Sequence, residues 1–473
     1  MTGKTFSLLL ATAAVFLLAA APAKKDSADL LVVNGRIVTM DEKFSLFDPG
    51  ALAVKDGKIL AVGPSAEVSE RYAARATYDA KRNIILPGLV NTHTHAAMTL
   101  LRGIADDLPL DRWLTEHIFP AEGKNVSPEF VYDGTLLAAL EMIEGGTTTF
   151  ADMYYFESDA ARAVEKAGLR AVLGETFLDF PVPAHKDLPS TLAFMREYVK
   201  RWKGHPRITP AAAPHSTYTC SKETLLAARD FALSEGIPIL IHLRETKKEL
   251  ADSRNASPES PVLHLASIGF FDPSAQGLRV PIVAAHGVWM DEKDRALVRQ
   301  YGVALSHNPE SNMKLGSGVA DVTAWQREGL VWGLGTDGPA GSNNDLDMFE
   351  AMDFAGKLAK VSKEDPTVLP ARVLVAAATR GGAQALGLAQ KIGSLEPGKQ
   401  ADFISVDVHN AHVEPFEDPY SALVYSAKAS DVTDVWVDGK SLLRHRRPTT
   451  LEETAILEKA RRWRQRVTKS LAQ

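Results

Sequence analysis

Eight apolar runs of strand length between Leu89 and Leu388 constrain this chain more tightly than any other feature. They are "LVNTHTH" (89–95), "TTTFAD" (147–152), "LRAVLGE" (169–175), "ITPAAAP" (208–214), "IPILIHL" (237–243), "PIVAAH" (281–286), "VALSH" (303–307) and "VWGLGT" (331–336). Most are separated by helical patterns. One helix opens at Ser127 with Pro128 in its first turn and closes at Gly145-Gly146. Another runs from Ser221 to Glu235 and stops at Gly236. This alternation predicts an α/β fold, a (β/α)8 barrel over residues 87–388. A doubly wound sheet is the rival architecture. It is weakened because no glycine-rich dinucleotide fingerprint follows the first strand.

The flanks have another texture. "DLLVVNGRIVTM", "GALAVKDGKILAVG" and "ATYDAKRNIILP" precede the barrel, and "GKQADFISVDV" and "VTDVWVDGKSLL" follow it. Asn34-Gly35, Asp56-Gly57 and Asp438-Gly439 are hairpin-turn dipeptides among apolar residues. The two ends are expected to meet in one small β-sandwich of residues 24–86 and 389–445, with a C-terminal helix over 446–473. Residues 1–23 read as a signal peptide. Lys4 precedes the apolar stretch "FSLLLATAAVFLLAAAPA", and Ala21-Pro22-Ala23 forms an A-x-A-like cleavage site. That stretch is marginal for a stable span, which needs about 20 residues. The expectation is therefore an exported protein, periplasmic or secreted, with no stable membrane span after cleavage.

Cys220 is the only cysteine, which excludes an internal disulfide and a thiolate-rich metal site. A net charge of -6 and the lack of any dense Lys/Arg tract argue against nucleic acid or anionic membrane as partners. A small-molecule substrate is the expectation that remains.

Barrel enzymes carry their chemistry at the C-terminal ends of the strands. Histidines are scarce here, 13 in all, yet five strands have one at or just beyond that end. Strand one ends in His93 and His95, whose spacing puts both imidazoles on one face. His215 follows strand four, and His242 ends strand five with Glu245 three residues on. His286 and His307 end strands six and seven, and Asp337 follows strand eight in "GTDG". Taken singly, each is an ordinary surface or core residue. Jointly they form a nitrogen and oxygen donor set suited to zinc, with iron as the alternative. A bound dication lowers the pKa of its water to about 7 and makes hydroxide available at neutral pH. Asp337 is positioned in sequence to orient that water and take its proton. Glu245 could deliver a proton to the leaving group or to a ring nitrogen, and His286 could polarise the group under attack or stabilise the tetrahedral intermediate.

The segments "PGLVNTHTHAAMTLLRGIADDLPLDRWL", "EMIEGGTTTFADMY", "APHSTYTCS", "HLRET", "AAHGVW", "SHNPESNMKLGSGVA", "GTDGPAGSNNDLDM" and "GSLEPGKQADFISVD" resemble the amidohydrolase superfamily. The closest resemblance is to its mononuclear-metal deaminase and chlorohydrolase branch, and within that to the 5-methylthioadenosine/S-adenosylhomocysteine deaminases. The resemblance implies that His93, His95, His242 and Asp337 hold one divalent metal ion. It implies that Glu245 and His286 are the catalytic pair, that Glu122 in "FPAEGK" holds ribose hydroxyls, and that His215 contacts substrate. It also implies a homo-oligomer. His307 falls to a structural role. Glu141 and Glu144 read as solvated or capping groups.

One departure stands out. At the end of strand three such deaminases usually carry an arginine that binds the amino-acid carboxylate of S-adenosylhomocysteine. Here Glu175 stands at about that place. A carboxylate there would repel another in a poorly solvated pocket. S-adenosylhomocysteine is then expected to be a poor substrate, and neutral or cationic compounds to be preferred. Residues 96–126 are expected to cover the pocket as a lid, with Trp113 either an apolar pocket wall or a packing residue of the barrel rim.

The leading expectation is hydrolytic deamination of an amino-substituted heterocycle, a purine nucleoside such as 5-methylthioadenosine or adenosine. A chlorohydrolase or an amide/urea-type C–N hydrolase uses the same machinery with another leaving group. A non-enzymatic metal-binding protein would not need Glu245. The cytidine-deaminase type of zinc site needs a P-C-x-x-C element, which one cysteine excludes.

Overall fold

The computed structural model describes residues 25–249, 260–272 and 279–472. The expected signal peptide, residues 1–23, lies outside the described residues. Among those described, no helix is long and apolar enough to cross a membrane.

The N-terminal strands are β1 (Asp26–Val38), β2 (Leu46–Lys55), β3 (Lys58–Pro64), β4 (Tyr72–Asp79) and β5 (Ile84–Pro87). The barrel strands are β6 (Leu89–Thr94), β7 (Thr147–Tyr154), β8 (Arg170–Phe177), β9 (Ile208–Pro214), β10 (Ile239–Leu243), β11 (Ile282–His286), β12 (Ala304–His307) and β13 (Trp332–Leu334). The chain finishes with β14 (Phe403–Val406), β15 (Val432–Val437), β16 (Lys440–Arg444) and β17 (Arg447–Pro448). Strands β6 to β13 pair in parallel and close into the expected barrel. All eight apolar runs form its staves. The two helices read from their caps also form. Ser127 accepts from Phe130 N ahead of Pro128–Glu144, and Ser221 accepts from Thr224 N ahead of Lys222–Glu235.

Both chain ends join one nine-stranded sheet, in which β5 pairs with β1 on one side and β14 on the other. The sheet encloses its own core, where Leu52 and Val54 of one end cluster with Phe403 and Trp436 of the other. The helix Glu453–Leu471 follows. Asp56-Gly57 and Asp438-Gly439 turn the β2–β3 and β15–β16 hairpins, with both residues at positive φ. Asn34-Gly35 does not turn a hairpin. Asn34 has a φ of 57° inside the continuous strand β1, where the register with β2 shifts between Val32 and Gly35. The left-handed residue serves a β-bulge there, a second use of the same backbone conformation.

Sheet and barrel meet at the end of the staves remote from the histidines. Gly88 alone joins β5 to β6, and a Cβ on it would lie 2.1 Å from Thr148 Oγ1. The joint is locked by Arg170, buried at the start of β8. Its Nε donates to Asp402 Oδ2 at 3.0 Å and its Nη2 to Asp438 Oδ1 at 2.7 Å, while Nη1 reaches the Pro206 carbonyl at 2.9 Å. Removing one side of a buried ion pair leaves an uncompensated charge. Arg170→Ala should therefore cost about 3–5 kcal/mol of stability. Urea denaturation checks this, and an unchanged midpoint would remove Arg170 as the lock.

Candidate active site

His93 lies on β6, His95 one residue beyond it, His242 on β10 and Asp337 three residues beyond β13. Barrel closure brings these ends together. Asp337 Oδ1 stands 3.3 Å from His93 Nε2 and 3.2 Å from His95 Nε2. His95 Nε2 is 3.3 Å from His242 Nε2. The four residues expected to hold a metal therefore face one point.

Their outer atoms are fixed by neighbours. His95 Nδ1 donates to the Met153 carbonyl at 2.6 Å, and His242 Nδ1 to the His215 carbonyl at 2.9 Å. Because a carbonyl only accepts, these bonds place a proton on each Nδ1 and turn each Nε2 inward. Asp337 Oδ2 accepts from Ser311 Oγ at 2.6 Å, and Oδ1 from Gly338 N at 2.7 Å. Asp337 and His286 both take positive φ, 64° and 77°. Such strain in non-glycine residues gathers at functional positions.

The chemistry of this donor set fits a divalent cation. His93 Nε2 is buried and has no hydrogen-bond partner among the described residues. Burial holds His93 down at about 4 and His242 well below the ordinary imidazole range. Both rings are thus neutral, the form that binds metal. Burial also acts to lower His95, but the hydrogen bond and charge of Asp337 and the Met153 carbonyl raise it to about 9. Asp337 resists the upward push of burial and stays well below the carboxylate range, because His93 and His95 contact it. The cluster favours a positive charge at its centre.

A cavity lined in part by His95, His242 and Asp337 opens onto this point. Glu245 and His286 line it beside the ligands, with His286 Nε2 3.8 Å from Glu245 Oε2. His286 Nδ1 lies 3.0 Å from Asn312 Oδ1, which aims Nε2 at the cavity. Burial raises the Glu245 carboxyl above its usual range. Its backbone N–H is held by Glu249 Oε2 at 2.9 Å. His215 lines the wall, and burial lowers it to about 3. Glu122, also on the wall, is raised by burial to about 7 and accepts from Tyr154 Oη at 2.7 Å. Tyr155 Oη lies 3.5 Å from its other oxygen.

Trp113 is buried beside the cavity. Its ring lines the cavity while its Nε1 donates to the Ala340 carbonyl at 2.9 Å, pinning the 96–126 segment to the loop that follows Asp337.

Glu175 is a correction. It is fully buried on β8 and points away from the cavity, where it accepts from Phe156 N at 3.1 Å and Glu157 N at 2.8 Å and contacts His185 Nε2 at 2.6 Å. Alternation along the strand turns the next residue, Thr176, to the cavity instead. Glu175 is no substrate contact, and the expected repulsion of a substrate carboxylate loses its basis. Glu141 is also corrected. It is half-buried, pairs with Arg102 and accepts from Leu346 N at 3.0 Å. His307 is buried and stays outside the cavity lining, as expected. Sequence reasoning missed Tyr154, Tyr155, Ser311 and Asn312, which brace the site.

The chain belongs to the amidohydrolase family, which it matches over residues 84–442. Residues 50–74 also match the imidazolonepropionase-like composite domain of bacteria. A 5-methylthioadenosine/S-adenosylhomocysteine deaminase of Syntrophobacter fumaroxidans is 45% identical over 434 residues, 92% of this chain and 97% of that protein. A 5'-deoxyadenosine deaminase of Methanosarcina mazei is 43% identical over 437 residues, 92% of this chain and 97% of that protein. The crystal structure of an adenosine deaminase from Xanthomonas campestris with bound zinc has a TM-score of 0.90 at 38% identity, covering 94% of this chain and 100% of that one.

Ser311 bonds Asp337, so it tests how far the outer hydrogen bonds tune the centre. Ser311→Ala should weaken metal affinity about 10–100-fold. Equilibrium dialysis against a chelator measures this, and wild-type affinity would contradict it.

Proposed function

We propose that the protein is a metal-dependent hydrolytic deaminase of purine nucleosides of the 5-methylthioadenosine, 5'-deoxyadenosine or adenosine type. The observation that carries this reading is one cavity with two poles. The His93, His95, His242 and Asp337 cluster is one, and the tyrosine-braced carboxylate of Glu122 is the other. The first suits the reacting ring carbon and the second suits ribose hydroxyls. The names of the relatives and the zinc of the Xanthomonas structure support it.

Zinc is the metal we assign, and when bound it supplies acidification of a water molecule and polarisation of the carbon under attack. Asp337, kept ionised by its imidazole neighbours, accepts the proton that the attacking water gives up. Glu245, kept protonated by burial, gives its proton to the purine ring nitrogen as the tetrahedral centre forms. The proton held by Asp337 then goes to the departing amine, which leaves as ammonia, and the proton of the new hydroxyl returns to Glu245 as the carbonyl forms. His286 is held by Asn312 against the oxygen of that centre and stabilises its charge. Glu122 accepts from the ribose hydroxyls, and Trp113 and Phe119 exclude water from the ring.

Ammonia release from 5-methylthioadenosine, 5'-deoxyadenosine and adenosine, against chloride release from chlorinated triazines, tests the reading directly. Activity confined to the chlorinated compounds would overturn it. Glu245→Gln should abolish ammonia release while metal analysis still finds the cation bound; unchanged turnover would remove the proton-transfer role. Glu122→Gln should raise KM for nucleosides by about tenfold or more, the scale of a lost charge-assisted hydrogen bond of about 1.5–3 kcal/mol. Equal KM values in the variant and the wild type would place the ribose elsewhere.

A further inference from the structure

A second group of ligand-type side chains lies outside the cavity. Glu310, Asp345 and Glu350 each place a carboxylate oxygen within 4.8 Å of the others. Glu310 sits on the short helix Pro309–Lys314, Asp345 on the loop that leads from Asp337, and Glu350 in the first turn of the helix Met348–Lys363. Glu310 is only 6% exposed, and neither of its oxygens has a hydrogen-bond partner among the described residues. Two unpartnered oxygens on one buried carboxylate are a costly arrangement. The surroundings make it worse. Asp347 faces the same cluster, and Lys428 is the cation that acts on its rim, on Asp347 and Glu350. Asp345 Oδ1 is partly satisfied by Asp347 N at 3.0 Å, and Asp347 caps the helix. Burial pushes Glu310 well above the carboxylate range, and Asp345 and Glu350 push it further.

We propose that Glu310, Asp345 and Glu350 bind a hard divalent cation, of the calcium or magnesium class, at a site separate from the histidine-rich centre. Oxygen donors without nitrogen or sulfur select such ions, with waters completing the coordination. The cation gives Glu310 the partner it lacks and offsets three mutually repelling carboxylates. It also has a mechanical consequence. The Pro309–Lys314 turn carries Ser311 and Asn312, which hold Asp337 and His286. Asp345 lies on the loop that Asp337 begins. The ion clips these two segments together behind the catalytic cavity.

The test uses the full protein loaded with zinc, titrated with CaCl2 and separately with MgCl2 by calorimetry, with elemental analysis of the dialysed product. One equivalent of calcium or magnesium should bind in addition to zinc and raise the thermal midpoint. Asp345→Asn and Glu350→Gln, checked for folding by circular dichroism, should each lose that binding and the rise in midpoint. His242→Ala, which disables the histidine-rich centre, should retain both. No binding at millimolar cation, which would mean that protons alone neutralise the cluster, overturns the proposal. So does binding that both carboxylate variants leave intact, or that His242→Ala removes.

Discussion

Asp337 is the carboxylate that contacts both His93 and His95, and the site depends on its charge. Its Oδ1 lies within 3.3 Å of two histidine nitrogens, His93 Nε2 and His95 Nε2. Without it the cluster would lose the anion in contact with two of its imidazoles. Asp337 in turn is kept ionised by those neighbours and by the hydroxyl of Ser311. The barrel makes this mutual support available, because β13 and β6 are adjacent staves and their ends cannot separate. The remaining parts of the site answer to the same point. Glu245 and His286 stand beside it, and the cavity wall carries Glu122.

The molecule separates rigidity from chemistry along the staves. At one end Arg170 and its two aspartates tie the barrel to the sheet built from both chain termini. At the other, the segment between β6 and β7 brings Trp113 and Glu122 to the cavity. The loops are held by side chains rather than by the sheet. Trp113 reaches the Ala340 carbonyl, and Lys314 reaches Asp106 and the Gly341 carbonyl. These contacts tie the segment over the cavity to the loop after Asp337.

Much of this was legible in the sequence. The eight staves are continuous apolar runs, and the metal-facing residues stand at their ends because the barrel leaves them nowhere else to converge. Other features were not legible for physical reasons. Glu175 and Thr176 are one residue apart, and which of them faces the cavity depends on a strand phase that an all-apolar stave does not reveal. Asn34-Gly35 supplies a left-handed residue, which serves a bulge as well as a turn. Glu141 follows an ordinary helical spacing, and only the tertiary structure supplies its contacts with Arg102 and Leu346 N. Ser311, Asn312, Tyr154 and Tyr155 are common residue types whose roles come from the atoms they meet in space. Glu122 entered through family resemblance alone, and its two tyrosine partners give it a physical basis.

The central claim is that one cation sits between His93, His95, His242 and Asp337. Anomalous diffraction from crystals of the zinc-loaded protein, recorded on both sides of the zinc absorption edge, locates the metal directly. The account predicts a single strong peak within bonding distance of the three Nε2 atoms and an Asp337 oxygen. A peak elsewhere, or none in fully loaded crystals, would contradict it.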